Sequence, residues 1–193
     1  MTYVSLVDQA HEILARVIQA GDVVIDATVG NGYDTVFLAK AVGDTGEVLG
    51  FDVQEKALEN TRRILQQKGL LNRVRLLLQS HARIADHIPD GMRSRIKAVM
   101  FNLGYLPGSD KSVITQSTDT LAALSGVLAD LAPGGVISVV AYRGHCGGGQ
   151  EAQAVLEWGA GLSGNLYTVQ IIKSPASSDK APLLVTITKS SAG

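Results

Sequence analysis

The run Val23-Val24-Ile25-Asp26-Ala27-Thr28-Val29-Gly30-Asn31-Gly32-Tyr33-Asp34-Thr35 decides the fold. It opens apolar and β-branched, as a strand buried on both faces requires. The segment from Tyr33 through Lys40 then reads as a helix. A strand that enters a helix through a Gly-rich turn brings backbone N–H groups close to a ligand at the helix N-terminus.

Working outward, the same alternation repeats. Before the run, Leu6, Val7, Ala10, Ile13, Leu14, Val17 and Ile18 fall three and four apart, predicting an amphipathic helix over 5–19 that stops at Gly21. After it come a strand at Glu47–Asp52, a helix from about Glu55 to Lys68, and a strand at Val74–Leu78 with the loop Gln79-Ser80-His81. A fourth strand spans Ile96–Phe101 and ends at Asn102; a helix over Ile114–Leu131 is stopped by Pro133-Gly134-Gly135. Val136–Tyr142 is a fifth strand, Glu151–Trp158 lies on a helix, and Thr168–Ile172 with Leu183–Thr188 close the chain as a hairpin. Strands rich in Val, Ile and Leu alternating with helices predict an α/β, Rossmann-like, doubly wound, seven-stranded, mostly parallel sheet with an antiparallel edge hairpin. In such sheets ligands bind outside the carboxyl ends of the strands, and the loops at 26–35, 52–54, 79–81, 102–111 and 142–149 all fall there.

Composition bounds the rest. With 193 residues, 46% hydrophobic and 18% charged, one domain over 1–193 is expected, the helix at 5–19 packed on it. No apolar run approaches the roughly 20 residues a membrane helix needs, and Met1–Ser5 lacks a signal-peptide pattern. A single cysteine, Cys146, forms no internal disulfide and fits a reducing cytoplasm. Four scattered histidines give no metal-ligand spacing, so no metal is expected. A net charge of −1 excludes an overall basic nucleic-acid binder but not a local patch. From Arg62 to Lys97 nine basic residues face two acids, a polarity that could attract phosphates or be a solvated surface.

Two ligands compete for the turn. Asp52 ends the second strand, where a carboxylate can accept from both hydroxyls of a ribose. A dinucleotide site wants Gly-x-Gly-x-x-Gly, but Gly30-Asn31-Gly32 continues as Tyr33-Asp34-Thr35, without the third glycine. Asp34 would also oppose a pyrophosphate. S-adenosylmethionine carries no phosphate; it offers an ammonium, a carboxylate and a sulfonium, toward which an acid in the first turn is favourable. The order Asp26, Gly30, Gly32, Asp52 resembles the cofactor pattern of class I methyltransferases. That resemblance implies that Gly30, Asn31, Gly32, Asp34 and Asp52 bind the cofactor, that Val53 packs on adenine, that Gln54 reaches ribose or base, and that Ser80 and His81 bond the adenine edge or sugar.

The fourth strand ends in Asn102-Leu103-Gly104-Tyr105-Leu106-Pro107, which resembles the Asn-Pro-Pro-Tyr motif of amino-group methyltransferases, with Leu103 and Gly104 in place of the prolines. In that motif an Asn oxygen accepts from the substrate nitrogen and the Tyr ring stacks on the base. The longer string 102–111, with Asp26–Thr35 and Tyr142-Arg143-Gly144-His145, is similar over essentially the whole chain to a bacterial family of rRNA methylases that includes tRNA 5-(aminomethyl)-2-thiouridine methyltransferases. Ser109 and Arg143 depart from that family's usual Gly and His. The resemblance implies N-methylation of the aminomethyl group on a tRNA wobble uridine; rRNA, a small amine, or an NAD-type redox role are the alternatives. It assigns Asn102 and Tyr105 to the reacting base. His145 and Asp110 are candidate proton acceptors, Tyr142 a stacking ring, and Arg143 and Lys111 phosphate contacts in the anticodon loop.

Overall fold

The computed structural model describes residues 4–104, 114–174, 178 and 180–191. Its elements run α1 (Leu6–Ala15), β1 (Val23–Asp26), α2 (Tyr33–Ala41), β2 (Glu47–Asp52), α3 (Glu55–Gln67), β3 (Val74–Leu78), α4 (Ile84–His87), β4 (Ile96–Leu103), α5 (Ser117–Leu128), β5 (Leu131–Ala141), α6 (Gly148–Ala160), β6 (Tyr167–Lys173) and β7 (Leu183–Lys189). Seven strands form one sheet in the order β3-β2-β1-β4-β5-β7-β6. The first five are parallel to their neighbours, while β7 runs antiparallel between β5 and β6. The expected fold class is therefore present, closing hairpin included.

Side-chain alternation along the strands builds two cores. Val24, Val48, Ala98, Met100 and Val140 face one side, against Leu6, Ala10 and Leu14 of α1, Leu38 of α2 and Leu65 of α3. Ile25, Leu49, Phe51, Val99, Phe101 and Val139 face the other, against Leu124 and Val127 of α5 and Ala152 and Val155 of α6. Burial on both faces is why these strands read as continuous apolar runs.

Element boundaries moved where local chemistry intervened. The first helix ends at Ala15 because Arg16 and Val17 donate to the carbonyls of Ile13 and Leu14, three residues back, closing the turn early. Serine 5 caps its start reciprocally with Asp8. The helix expected over 114–131 is shorter: Thr115 N–H instead donates to Gly104 O, at 3.0 Å, and Gln116 is extended. Pro133-Gly134-Gly135, read as a helix stop, lies inside β5 as a bulge, since Ile96 pairs with Leu131 and Ala98 with Val136. A Cβ on Gly135 would lie 2.8 Å from Ala132 O and 3.0 Å from Ile96 O, so only glycine fits there. The short α4 and the 3-10 turns at Leu71–Arg73, His81–Arg83 and Asp90–Met92 were not anticipated; segments of three or four residues carry no readable periodicity.

Candidate functional site

Beyond the carboxyl ends of β1, β2, β4 and β5 lies a cavity of about 630 Å³, within the range of small-molecule sites. Its walls include Gly30 and Asn31 of the turn, Asp52, Val53 and Gln54 after β2, and Ser80 and His81 after β3. Asn102, Tyr142 and His145 line it from the side of β4 and β5. The sequence thus placed most of its candidates around one space, because successive parallel strands deliver their ends to one edge of the sheet.

The turn after β1 is held by the acid after β2. Asp52 accepts from Gly30 N–H and from Gln54 N–H, both at 2.8 Å, which fixes its carboxylate at the cavity wall. Val53, 57% exposed, offers an apolar face beside it. Each carboxylate oxygen keeps a lone pair, so the pair of hydroxyls of a ribose and a flat apolar base both find matching chemistry here. The residues fit an adenosine-bearing ligand.

Gly32 has a different place from the one expected: it does not line the cavity. It caps α2 in the left-handed region at φ 80°, and a Cβ there would meet Thr61 Oγ1 at 2.6 Å. Its contribution is to let α2 and α3 approach while the turn curls over the cavity.

Behind the turn is a buried acidic pair. Asp26 accepts from Thr35 Oγ1 at 2.6 Å and from Thr28 N–H at 3.1 Å. Burial first, and the charge of Asp34 second, push its carboxyl up to about 7. Asp34, expected to bind the cofactor, lines the cavity and has two protein partners: His11 Nε2 at 2.7 Å and Asn102 Nδ2 at 3.1 Å. Asn102 N–H donates to Thr28 Oγ1 at 2.8 Å, tying the end of β4 to the turn after β1.

Ser80 and His81 are also more tied to the protein than expected. Ser80 Oγ donates to Asp119 at 2.9 Å and accepts from Ala82 N–H, capping the 3-10 turn. His81 is 9% exposed and meets the edge of Phe101; burial holds its imidazole below the ordinary histidine range, so it is neutral near pH 7. His145 Nδ1–H donates to Cys146 O at 3.0 Å, and a Cβ on Gly148 would lie 2.7 Å from its Nε2. Glycine at 148 therefore makes room for that ring.

Arg143 turns away from the cavity. It lines a separate groove with Lys173, Gln153 and Leu156 and is not among the residues of the main cavity. Tyr105, Asp110 and Lys111 lie outside the described residues. Of the nine basic residues between Arg62 and Lys97, Arg73, Arg83 and Arg93 pair with carboxylates, which reduces the local excess of positive charge. Among the described residues no three His, Cys, Asp or Glu side chains could together hold a metal, and no helix is long and apolar enough to cross a membrane.

Several residues at or near the cavity escaped the sequence reading of the site, Val7 and Lys180 among them. His11 sits on α1, far from every motif, and Asp119 lines the cavity from the first turn of α5. Glu151, 2% exposed, accepts from Thr115 and Thr120 hydroxyls at 2.6 Å each, tying the start of α5 and the residue two before it to α6. Helical spacing marks none of these three polar residues; an acid in the first turn of a helix, as at Asp119 and Glu151, was the available signal.

A family model described as "Putative rRNA methylase" matches residues 48–188. A model for protein-L-isoaspartate(D-aspartate) O-methyltransferase matches residues 2–93. The chain is 44% identical over 161 residues to a chloroplastic tRNA (mnm(5)s(2)U34)-methyltransferase of Arabidopsis thaliana, covering 79% of this chain and 58% of that protein. It thus spans less than two thirds of the plant relative's length. A Clostridium thermocellum structure bearing the same description as the first family model superposes with a TM-score of 0.92 at 40% identity, covering 98% of this chain and all of that one. A methyltransferase of Streptococcus mutans, solved in complex with SAH, superposes with a TM-score of 0.86 at 36% identity, covering 97% of this chain and 99% of that one. With a family model spanning β2 to β7 and an adenosine-compatible cavity at the strand ends, the chain belongs to the rRNA methylase family of S-adenosylmethionine-dependent methyltransferases.

Proposed function

We propose that the chain methylates RNA at an exocyclic amine, namely the aminomethyl group of 5-aminomethyl-2-thiouridine at the tRNA wobble position, giving the methylaminomethyl form. The observation that carries this reading is Asn102 Oδ1, a buried acceptor with no hydrogen-bond partner among the described residues. Its amide nitrogen is committed to Asp34, so the oxygen is left to accept from a substrate N–H. The plant relative's name adds support for a tRNA substrate, and the family description keeps rRNA as the second reading.

S-adenosylmethionine, when bound, supplies an electrophilic methyl group on a sulfonium. The chain's residues supply position and proton control. Gly30, Asn31, Asp52, Val53, Gln54, Ser80 and His81 form the wall for the adenosine part, and Asp34 brings negative charge to the corner where α2 begins. Asn102 orients the amine so that its lone pair points along the line of displacement, and such positioning supplies much of the rate. An aliphatic amine has a pKa of about 10, so it arrives protonated and must lose a proton first. His145, lining the same cavity with Nδ1–H committed to Cys146 O, can take that proton at Nε2 or pass it to water. Tyr142, 42% exposed, lines the cavity, and in this reading its ring stacks on an extruded base, whose extrusion costs little in a single-stranded anticodon loop. Arg143 and Lys173 mark a path for the backbone phosphates.

The test is nucleoside mass spectrometry of tRNA carrying the aminomethyl nucleoside, incubated with protein and S-adenosylmethionine, with rRNA in a parallel reaction. Conversion to the methylaminomethyl nucleoside is expected; an unchanged tRNA alongside methylated rRNA would overturn the tRNA reading. Asn102→Ala is expected to lower turnover on the order of 100-fold, the scale of a lost positioning contact, with S-adenosylhomocysteine affinity within about twofold of wild type.

A further inference from the structure

Three polar groups from three separate elements form one hydrogen-bonded line into the cavity. His11 Nε2, on α1, lies 2.7 Å from Asp34 Oδ1; Asp34 Oδ2, on α2, lies 3.1 Å from Asn102 Nδ2, at the end of β4. The direction of that line follows from donor chemistry. A carboxylate only accepts, so Asn102 must turn its NH₂ toward Asp34 and its Oδ1 away from it. Rotating the amide by half a turn would set two acceptors against each other. Asp34 thereby decides which side-chain atom Asn102, a cavity-lining residue, turns away from it.

Asp34 needs its own restraint. It is 7% exposed, and a buried carboxylate costs free energy unless donors surround it. Asn102 supplies one, and His11 Nε2–H supplies the second. His11 is itself held: its ring stacks on Phe37 with centroids 4.0 Å apart and planes within 8°. Val7, one turn earlier on the same helix, lines the cavity. The amino-terminal helix therefore contributes to the site as well as to the core.

We infer that His11 is a positioning residue for methyl transfer, acting through Asp34 to fix the orientation of the Asn102 amide. The inference rests on the role given to Asn102 above. Its test uses His11→Phe, which keeps a ring on Phe37 but removes the donor, and His11→Gln, which restores an N–H. For His11→Phe the expected result is a fall in kcat of about 10- to 30-fold, the worth of one hydrogen bond to a charged group, with KM for tRNA and S-adenosylhomocysteine affinity within about twofold. His11→Gln is expected to recover kcat to within about threefold of wild type. In the ligand-free protein, ¹⁵N NMR should place the His11 ring proton on Nε2 and show the Asn102 side-chain amide signals displaced in His11→Phe. Unchanged kcat in His11→Phe, an equal loss of S-adenosylhomocysteine affinity, or a ring proton on Nδ1 alone would overturn the inference. The NMR arm needs no turnover. Wild-type protein inactive on tRNA but showing the expected signals would therefore sink the proposed substrate and leave the His11–Asp34–Asn102 line standing.

Discussion

Asp26→Asn isolates the cost of a buried charge beneath the cavity. In the folded chain Asp26 is fully buried and its carboxyl is pushed from 3.8 to about 7, by burial first and by the Asp34 charge second. Between those values the native state holds about one more proton than the unfolded chain. Stability is then lost as pH rises, at up to about 1.4 kcal/mol per pH unit. The sign is that of a raised acid: the full stability is present below about pH 4, and it is lost as pH climbs through about 7. Summed over the window, the loss is on the order of 4 kcal/mol. Asparagine is nearly isosteric and neutral throughout. Its oxygen can accept from Thr28 N–H, and its NH₂ can donate to Thr35 Oγ1, which replaces both contacts the acid makes. Urea unfolding of ligand-free wild type and Asp26→Asn, at unit steps between about pH 5 and 8, should show the difference in stability growing in favour of the variant up to about pH 7 and levelling off above it. Parallel pH profiles for the two proteins would refute the idea that the folded chain holds that proton.

Two further substitutions probe the cofactor wall. Asp52→Ala removes the carboxylate that fixes Gly30 and Gln54; isothermal calorimetry should find S-adenosylhomocysteine binding weakened by about 10- to 100-fold, as for a lost hydrogen bond to a charged group. Retained affinity would remove Asp52 from the binding role. Gly32→Ala meets both an unfavourable left-handed backbone and the Thr61 side chain 2.6 Å from its new methyl, together on the order of 3 kcal/mol or about 6–12 °C in Tm. Adding Thr61→Ala should recover part of that loss; no recovery would mean that Thr61 is not what excludes a side chain there.

The architecture was legible early because each strand is buried on both faces and so spells itself in Val, Ile and Leu. The Asp26–Thr35 turn was legible because the backbone of Gly30 and Gly32 adopts positive φ. Errors gathered where the backbone's partners are distant in sequence. Ile114 to Gln116 were absorbed into the following helix because nothing nearby announces that Thr115 bonds to Gly104. Pro133-Gly134-Gly135 was read as an end because the paired strand that makes it a bulge begins at Ile96. The site divides the same way. Asp52, Asn102 and Asp34, read from their positions at strand ends and in the turn, all line the cavity, but nothing in the sequence announced that the Asp34 carboxylate meets a histidine 23 residues earlier and an asparagine 68 later.

The sequence by itself determined the fold class, the edge of the sheet where the cavity lies, and the loops that supply most of its lining. These follow from periodicity and from local backbone needs, which are properties of neighbours along the chain. Only the tertiary structure decided that Gly32 faces Thr61, that Arg143 leaves the cavity, and that His11 completes a line through Asp34 to Asn102. Those outcomes depend on which side chains meet across the sheet, and a hydrogen bond between distant residues leaves no pattern in either one's surroundings.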